Sequence, residues 1–160
     1  MKKNGFTILE LIMAMAIFAI IGGVVIGFFS ASFRILYSET NKSSLRISVE
    51  SAVHQLTNEL TPTKAVTASG ANSITFWNDK DFDSVQDTGE VYSYALSSGK
   101  LVKTVNSISK NLLYGVTAFS LTYDGTPAAN VRVVTFTLTA TSGVDSLTIK
   151  DQIRLRNKLD

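Results

Sequence analysis

From Phe6 to Phe29 the chain carries a single charge, Glu10, in an otherwise almost wholly apolar run. About 24 such residues are enough to cross a bilayer as a helix, so everything else in the chain has to be read as attached to a membrane-length segment. Met1, Lys2, Lys3 and Asn4 stand in front of the run, and Gly5 joins them to it. Lys2 and Lys3 hold this short leader on the cytoplasmic side, which places the body after Phe29 on the opposite side. A carboxylate at the centre of a membrane helix costs about 2.5–3.5 kcal/mol on insertion scales, and less near an end. Glu10 lies near the start of the run, where a leucine would cost nothing, so a partner for its charge is expected.

Two ordinary readings compete for the segment. A secretory signal peptide has an apolar core of about 7–15 residues followed by a small-residue cleavage site. Here the core is longer, Ala14-Met15-Ala16 falls inside it, and Ser30-Ala31-Ser32 follows an overlong core. A plain membrane anchor leaves Glu10 without a reason. Lipoprotein processing is excluded because the chain has no cysteine.

The order Lys2-Lys3-Asn4-Gly5 followed by Phe6-Thr7-Ile8-Leu9-Glu10-Leu11 resembles the class III signal of type IV pilins and type II secretion pseudopilins. The resemblance implies cleavage after Gly5 by a prepilin peptidase, N-methylation of the new terminus Phe6 by the same peptidase/methyltransferase, and an assembly role for Glu10, whose carboxylate meets the cleaved α-amine of a subunit. It also implies other pilins or pseudopilins, an inner-membrane assembly platform and membrane lipid as partners. The protein would first be a single-pass membrane protein with its C-terminal domain extracytoplasmic, then part of a pilus or pseudopilus. Many major pilins carry proline where Gly27 stands here. Gly22, Gly23 and Gly27 each weaken a helix by about 0.8–1.0 kcal/mol relative to alanine and suit bending on transfer from membrane to filament; close helix packing through small residues explains them equally well.

With residues 1–5 as leader and 6–29 as the transmembrane or filament-core helix, the remainder fits one small domain. A net charge of +2 without a Lys/Arg block gives no argument for nucleic-acid binding. From Ser30 to Leu60 there is neither proline nor glycine, and Leu45, Val49, Ala52, Val53, Leu56 and Leu60 recur at helical spacing. Residues 30–61 therefore read as an amphipathic continuation of the same helix, ended by Thr61-Pro62. Residues 62–160 read as β-rich, with expected strands Ser73–Trp77, Glu90–Leu96, Leu101–Val105, Val116–Tyr123, Val131–Thr141 and Ser146–Arg156. Turns are expected at Ser97–Lys100 and at Asp124-Gly125-Thr126-Pro127. A change of phase near Lys150-Asp151 predicts a bulge in the last strand. The fold class is α+β: a long N-terminal helix, transmembrane in its first half, packed on a C-terminal antiparallel β-sheet in the pilin-like manner.

The β half also resembles minor pseudopilins of the J type and W-type minor pilins, through Ile74–Trp77, the acidic loop, Val91–Tyr94, Gly99–Leu101 and Ile153–Asn157. The function these resemblances imply is a minor pilin or pseudopilin, a structural subunit of a type IV pilus-like or type II secretion filament. The alternative is a membrane-anchored exported domain that binds DNA, a secreted substrate or a surface without entering a filament.

The acidic loop is the best site candidate. With Asp79 as position 1, Asp81, Asp83, Asp87 and Glu90 occupy positions 3, 5, 9 and 12, and Val85 offers a backbone carbonyl at position 7. That is the oxygen spacing of an EF-hand-type calcium loop, and so many carboxylates suit calcium over magnesium. Ser84 departs from it, standing where glycine normally makes the sharp turn, and Lys80 is the one nearby cation. A solvated acidic loop is the bland reading, since Asp is common in turns. Catalysis finds little support. His54 is the only histidine and reads as a surface or groove residue, so a Cys/His or His-rich metal site is impossible. No nucleophile elbow or phosphate-binding glycine loop is present.

Overall fold

The computed structural model describes residues 7–156 apart from 88 and 127. The leader and the Gly5–Phe6 junction lie outside the described residues, as do Asn157 and Pro127 of the motifs above. Among the described residues one helix, α1 (Ile8–Leu60, 53 residues), opens the fold and is followed by strands and one short 3-10 turn. The chain divides into two units, Met1–Asn41 and Lys42–Asp160.

As far as Phe29 the helix is apolar on almost every side, and no residue of its most apolar stretch is buried. Phe18, Ile26 and Phe28 are each at least 70% exposed. A helix that is hydrophobic all round needs lipid or neighbouring protein as its solvent. Gly22, Gly23 and Gly27 have open space around them.

In the second unit α1 becomes one-sided. Leu45, Val49, Ala52, Leu56 and Leu60 are buried, and Val53 packs against their cluster, which is the stripe expected from the spacing. The helix ends where proline requires it: the Thr61 amide closes the last turn on the Thr57 carbonyl at 2.9 Å. The buried stripe packs into one core with two sheets. Strands β1 (Ala65–Ser69), β2 (Ser73–Trp77), β3 (Val91–Ser97), β4 (Lys100–Val105) and β5 (Ile108–Tyr114) form an antiparallel meander. Strands β6 (Val116–Tyr123), β7 (Val133–Ser142) and β8 (Asp145–Arg154) form a second one. Alternation supplies the inner faces. Phe76, Tyr92 and Tyr94 stack at 5.6 and 6.0 Å on the first sheet, and Val134, Phe136, Leu138 and Ala140 of β7 line the second.

Gly115 makes the passage between sheets. Its φ is +70°, and a Cβ there would lie 2.3 Å from the Thr141 carbonyl oxygen. The Tyr123 hydroxyl ties the β1–β2 turn to the second sheet, donating toward the Gly70 carbonyl at 2.9 Å and the Ser73 carbonyl at 3.1 Å.

The expected single sheet is thus two sheets. The expected bulge near Lys150-Asp151 is absent: β7 and β8 pair without a shift from Val133↔Arg154 to Ser142↔Asp145. Leu147, Ile149, Ile153 and Leu155 share one parity, and Asp151 is a polar residue on that same face, so the phase never changes. Strands β1 and β5 come as additions to the sequence reading.

Candidate functional site

The first candidate is the start of α1. Thr7 precedes the helix as its N-cap and Glu10 stands three residues later. The Thr7 amide and hydroxyl both donate to Glu10 Oε2 at 3.0 Å, and the Glu10 amide donates to Thr7 Oγ1 at 3.3 Å. This reciprocal pair is a capping box, which satisfies donors that a helix N-terminus leaves open. Within its own chain, the carboxylate flagged by its cost therefore has Thr7 as partner. The same oxygen remains at the helix start, where the sequence places it five residues from Gly5.

The second candidate is the loop between β2 and β3. Asp79, Asp81 and Asp83 each bring one carboxylate oxygen within 4.8 Å of the others. The loop is shaped by its own acids: the Asp83 amide donates to Asp81 Oδ1 at 3.4 Å, the Val85 amide to Asp83 Oδ1 at 2.7 Å and the Ser84 amide to Asp79 Oδ2 at 3.1 Å. Ser84 has φ +66° and Phe82 φ +64°, so the backbone takes the left-handed turn at the position a glycine would occupy. Glu90, 5% exposed, points inward, accepting the Lys80 amide at 2.6 Å and the Asp87 amide at 3.2 Å. Among the described residues Asp87 and Glu90 lie outside the gathered carboxylates, and Val85 is 56% exposed.

Lys80 is not the loop's main counter-charge. Its ammonium lies 5.0 Å from the Tyr92 ring centre. Lys64 has that role: its ammonium donates to Asp79 Oδ2 and, at 2.6 Å, to Ser84 Oγ, and it lies 5.5 Å from the Trp77 ring centre. The hydrogen bond from Lys64 holds the Asp79 carboxyl below the usual carboxylate range. Desolvation, with the charges of Asp83 and Glu90, pushes Asp81 above it. Asp79 keeps 7% of its side-chain exposure, and its Oδ1 is buried without a hydrogen-bond partner. Lys64 was not legible from sequence because it lies 15 residues from Asp79. Pairing of β1 with β2 brings their outer ends together, with the Lys64 amide on the Trp77 carbonyl at 3.1 Å.

His54 is exposed on α1, as expected. The polar cluster that sequence reading missed centres on Glu59, whose carboxylate accepts from Tyr94 Oη, Lys103 Nζ and, at 3.2 Å, Gln55 Nε2. It anchors the end of α1 to the first sheet.

Residues 1–26 match the family model described as the prokaryotic N-terminal methylation motif. Comparison with curated proteins and with solved structures gave no match. The motif and the layout, a long apolar N-terminal helix followed by antiparallel sheets, are those of a prepilin-type N-terminus on a pilin-like α+β body.

Proposed function

We propose that this type IV pilin-like chain is a minor pilin or pseudopilin, a structural subunit of a type IV pilus-like or type II secretion filament. The observation that carries the reading is the methylation motif over residues 1–26 on an uninterrupted helix, Ile8–Leu60. Cleavage after Gly5 creates a charged α-amine at Phe6 beside a helix with no buried apolar residue in its most apolar stretch. Before assembly, lipid covers that surface; in a filament, neighbouring helices do. Glu10 then supplies the carboxylate that a cleaved amine needs in a low-dielectric interior, where an unpaired charge is far more costly than a paired one. The role is structural: the Phe6 terminus and Glu10 join subunits, and the two sheets form the exported body.

The test is shearing of filaments from cells expressing the chain at native level. The wild-type protein is expected in the sheared fraction with other pilins or pseudopilins. Glu10→Ala is expected to be expressed and processed but incorporated at least about tenfold less, the effect of losing one favourable charge pair in a poorly solvated site. Processed wild-type protein that stays in the membrane fraction while filaments assemble would instead favour the anchored, exported binding domain.

A further inference from the structure

We infer that the β7–β8 hairpin tip and the β5–β6 corner form a foot that rests in the headgroup layer of the chain's own membrane, with Val144 and Tyr114 as its contacts. The inference rests on the membrane anchor and is independent of filament membership. Val144 is the starting observation. It is 99% exposed, more than any other large apolar side chain described. Ser142 pairs with Asp145, so Gly143 and Val144 make a two-residue turn. Gly143 takes a positive φ of +62° and Val144 does not, which is the type II′ pattern. Turn tips favour Gly, Asn, Asp and Ser, which water solvates well. A β-branched apolar side chain there gains nothing from water and nothing from the core.

The tip stands at the end of the body where α1 enters. The start of β7 lies by the other end of the helix: the Leu155 amide meets the Arg132 carbonyl and the Arg156 amide meets the Thr61 carbonyl, both at 2.9 Å. Thr141 and Ser142, at the end of β7, line an open cavity of about 300 Å³ with Ser44, Leu45 and Ser48. Leu45 is the first buried residue of α1. β7 therefore runs antiparallel to this part of the helix, and its hairpin tip projects past the point where the helix first meets the body. Tyr114 lines the same cavity and is 62% exposed.

The occupant follows from what precedes Leu45 in the chain. Phe33, Ile35, Leu36 and Tyr37 are each more than half exposed and continue the apolar surface beyond Phe29. The helix from Ile8 to Tyr37 rises about 45 Å, the thickness of a bilayer with its headgroup layers. Tyrosine is enriched at that boundary. Only about 10 Å of helix separates Tyr37 from Ser44, and the hairpin tip reaches beyond Ser44. Lipid is thus the surface that Val144 meets first. The Lys100 ammonium lies 5.2 Å from the Tyr114 ring centre. An aromatic ring beside a cation suits an interface with anionic headgroups. Two side chains would not hold a free domain on a membrane. Here the covalent tether makes the encounter intramolecular, so a small contact suffices to orient the body.

The chain has no cysteine, so one introduced cysteine carries one fluorophore. The full chain is placed in nanodiscs of phosphatidylcholine and phosphatidylglycerol. Labels are attached in separate samples at Ser142→Cys beside the tip, at Ile108→Cys at the far end of β5, and at Phe18→Cys in the apolar helix. Nitroxide on the lipid headgroup or acyl chain and iodide in solution serve as quenchers. Headgroup nitroxide is expected to quench the Ser142 label at least about threefold more than the Ile108 label, as for a group about 5–10 Å into the interface. Val144→Asp lies outside the core and leaves the fold in place. It is expected to lower the ratio of docked to undocked body at least about tenfold, the loss of one buried apolar side chain, and to move Ser142 quenching toward the Ile108 level. Equal quenching at Ser142 and Ile108, or no effect of Val144→Asp, overturns the foot. Shielding of Ser142 from iodide that rises with the number of chains per disc, without nitroxide quenching, assigns the tip to a second copy and overturns it too. Absence of acyl-chain quenching at Phe18→Cys overturns the membrane anchor itself, which keeps the two failures apart.

Discussion

At the scale of single residues, Glu59 shows how the end of α1 is fixed. Its carboxylate faces Tyr94, which is fully buried, and Lys103, which is 15% exposed. Its backbone carbonyl accepts from Asn78 Nδ2 at 2.7 Å. Glu59→Ala should destabilise the protein by about 1–3 kcal/mol, because Tyr94 and Lys103 lose the acceptor they share. Denaturant unfolding checks this; a change within error would mean that water replaces the carboxylate. The tyrosines also set the alkaline limit. Burial pushes the Tyr123 hydroxyl up to about 12, and burial together with Glu59 pushes Tyr94 up as well. The neutral phenol is then favoured in the folded state. Stability is therefore unaffected by these groups below the unfolded value near pH 10 and falls as pH rises through about 10–12. Tyr123→Phe should reduce the slope of that loss in unfolding measurements above pH 10, and an unchanged slope would contradict it.

Elements were legible where burial follows a clean period. The stripe from Leu45 to Leu60 and the alternation of Tyr92 and Tyr94 are both one-sided, and both proved to be core. Leu56→Ala, at 0% exposure between helix and sheets, should cost about 2–5 kcal/mol in the same unfolding assay. A cost below 1 kcal/mol would mean the helix is not packed as described. Strand β5 escaped notice because it is an edge: Ile108, Ser109, Lys110 and Asn111 are all exposed, so no alternation survives. Strand β1 is five residues of mostly small side chains with a register shift between Val66 and Ala68. The division into two sheets has no periodic signal at all. It rests on Gly115, and Gly115→Ala should destabilise by more than about 1 kcal/mol, since φ is positive and the Thr141 carbonyl occupies the space.

For the whole molecule, the N-terminal motif was readable because it is local: a junction glycine, an aromatic residue and a glutamate at fixed spacing in an apolar run. The acidic loop was readable as spacing, and its carboxylates do gather in part. Its counter-charge was hidden, because Lys64 reaches Asp79 only through the pairing of β1 with β2. The turning of Glu90 onto the loop's amides was hidden for the same kind of reason: composition counts carboxylates, while hydrogen bonding decides which remain available. The account as a whole stands on the N-terminus, and the mass of the mature protein purified from cells tests it most directly. The account predicts a chain beginning at Phe6 with one methyl group on its α-amine, and accumulation of the uncut form in Gly5→Val. A mature terminus near Ser32, or a wild-type chain that keeps Met1 where the peptidase is active, would contradict it.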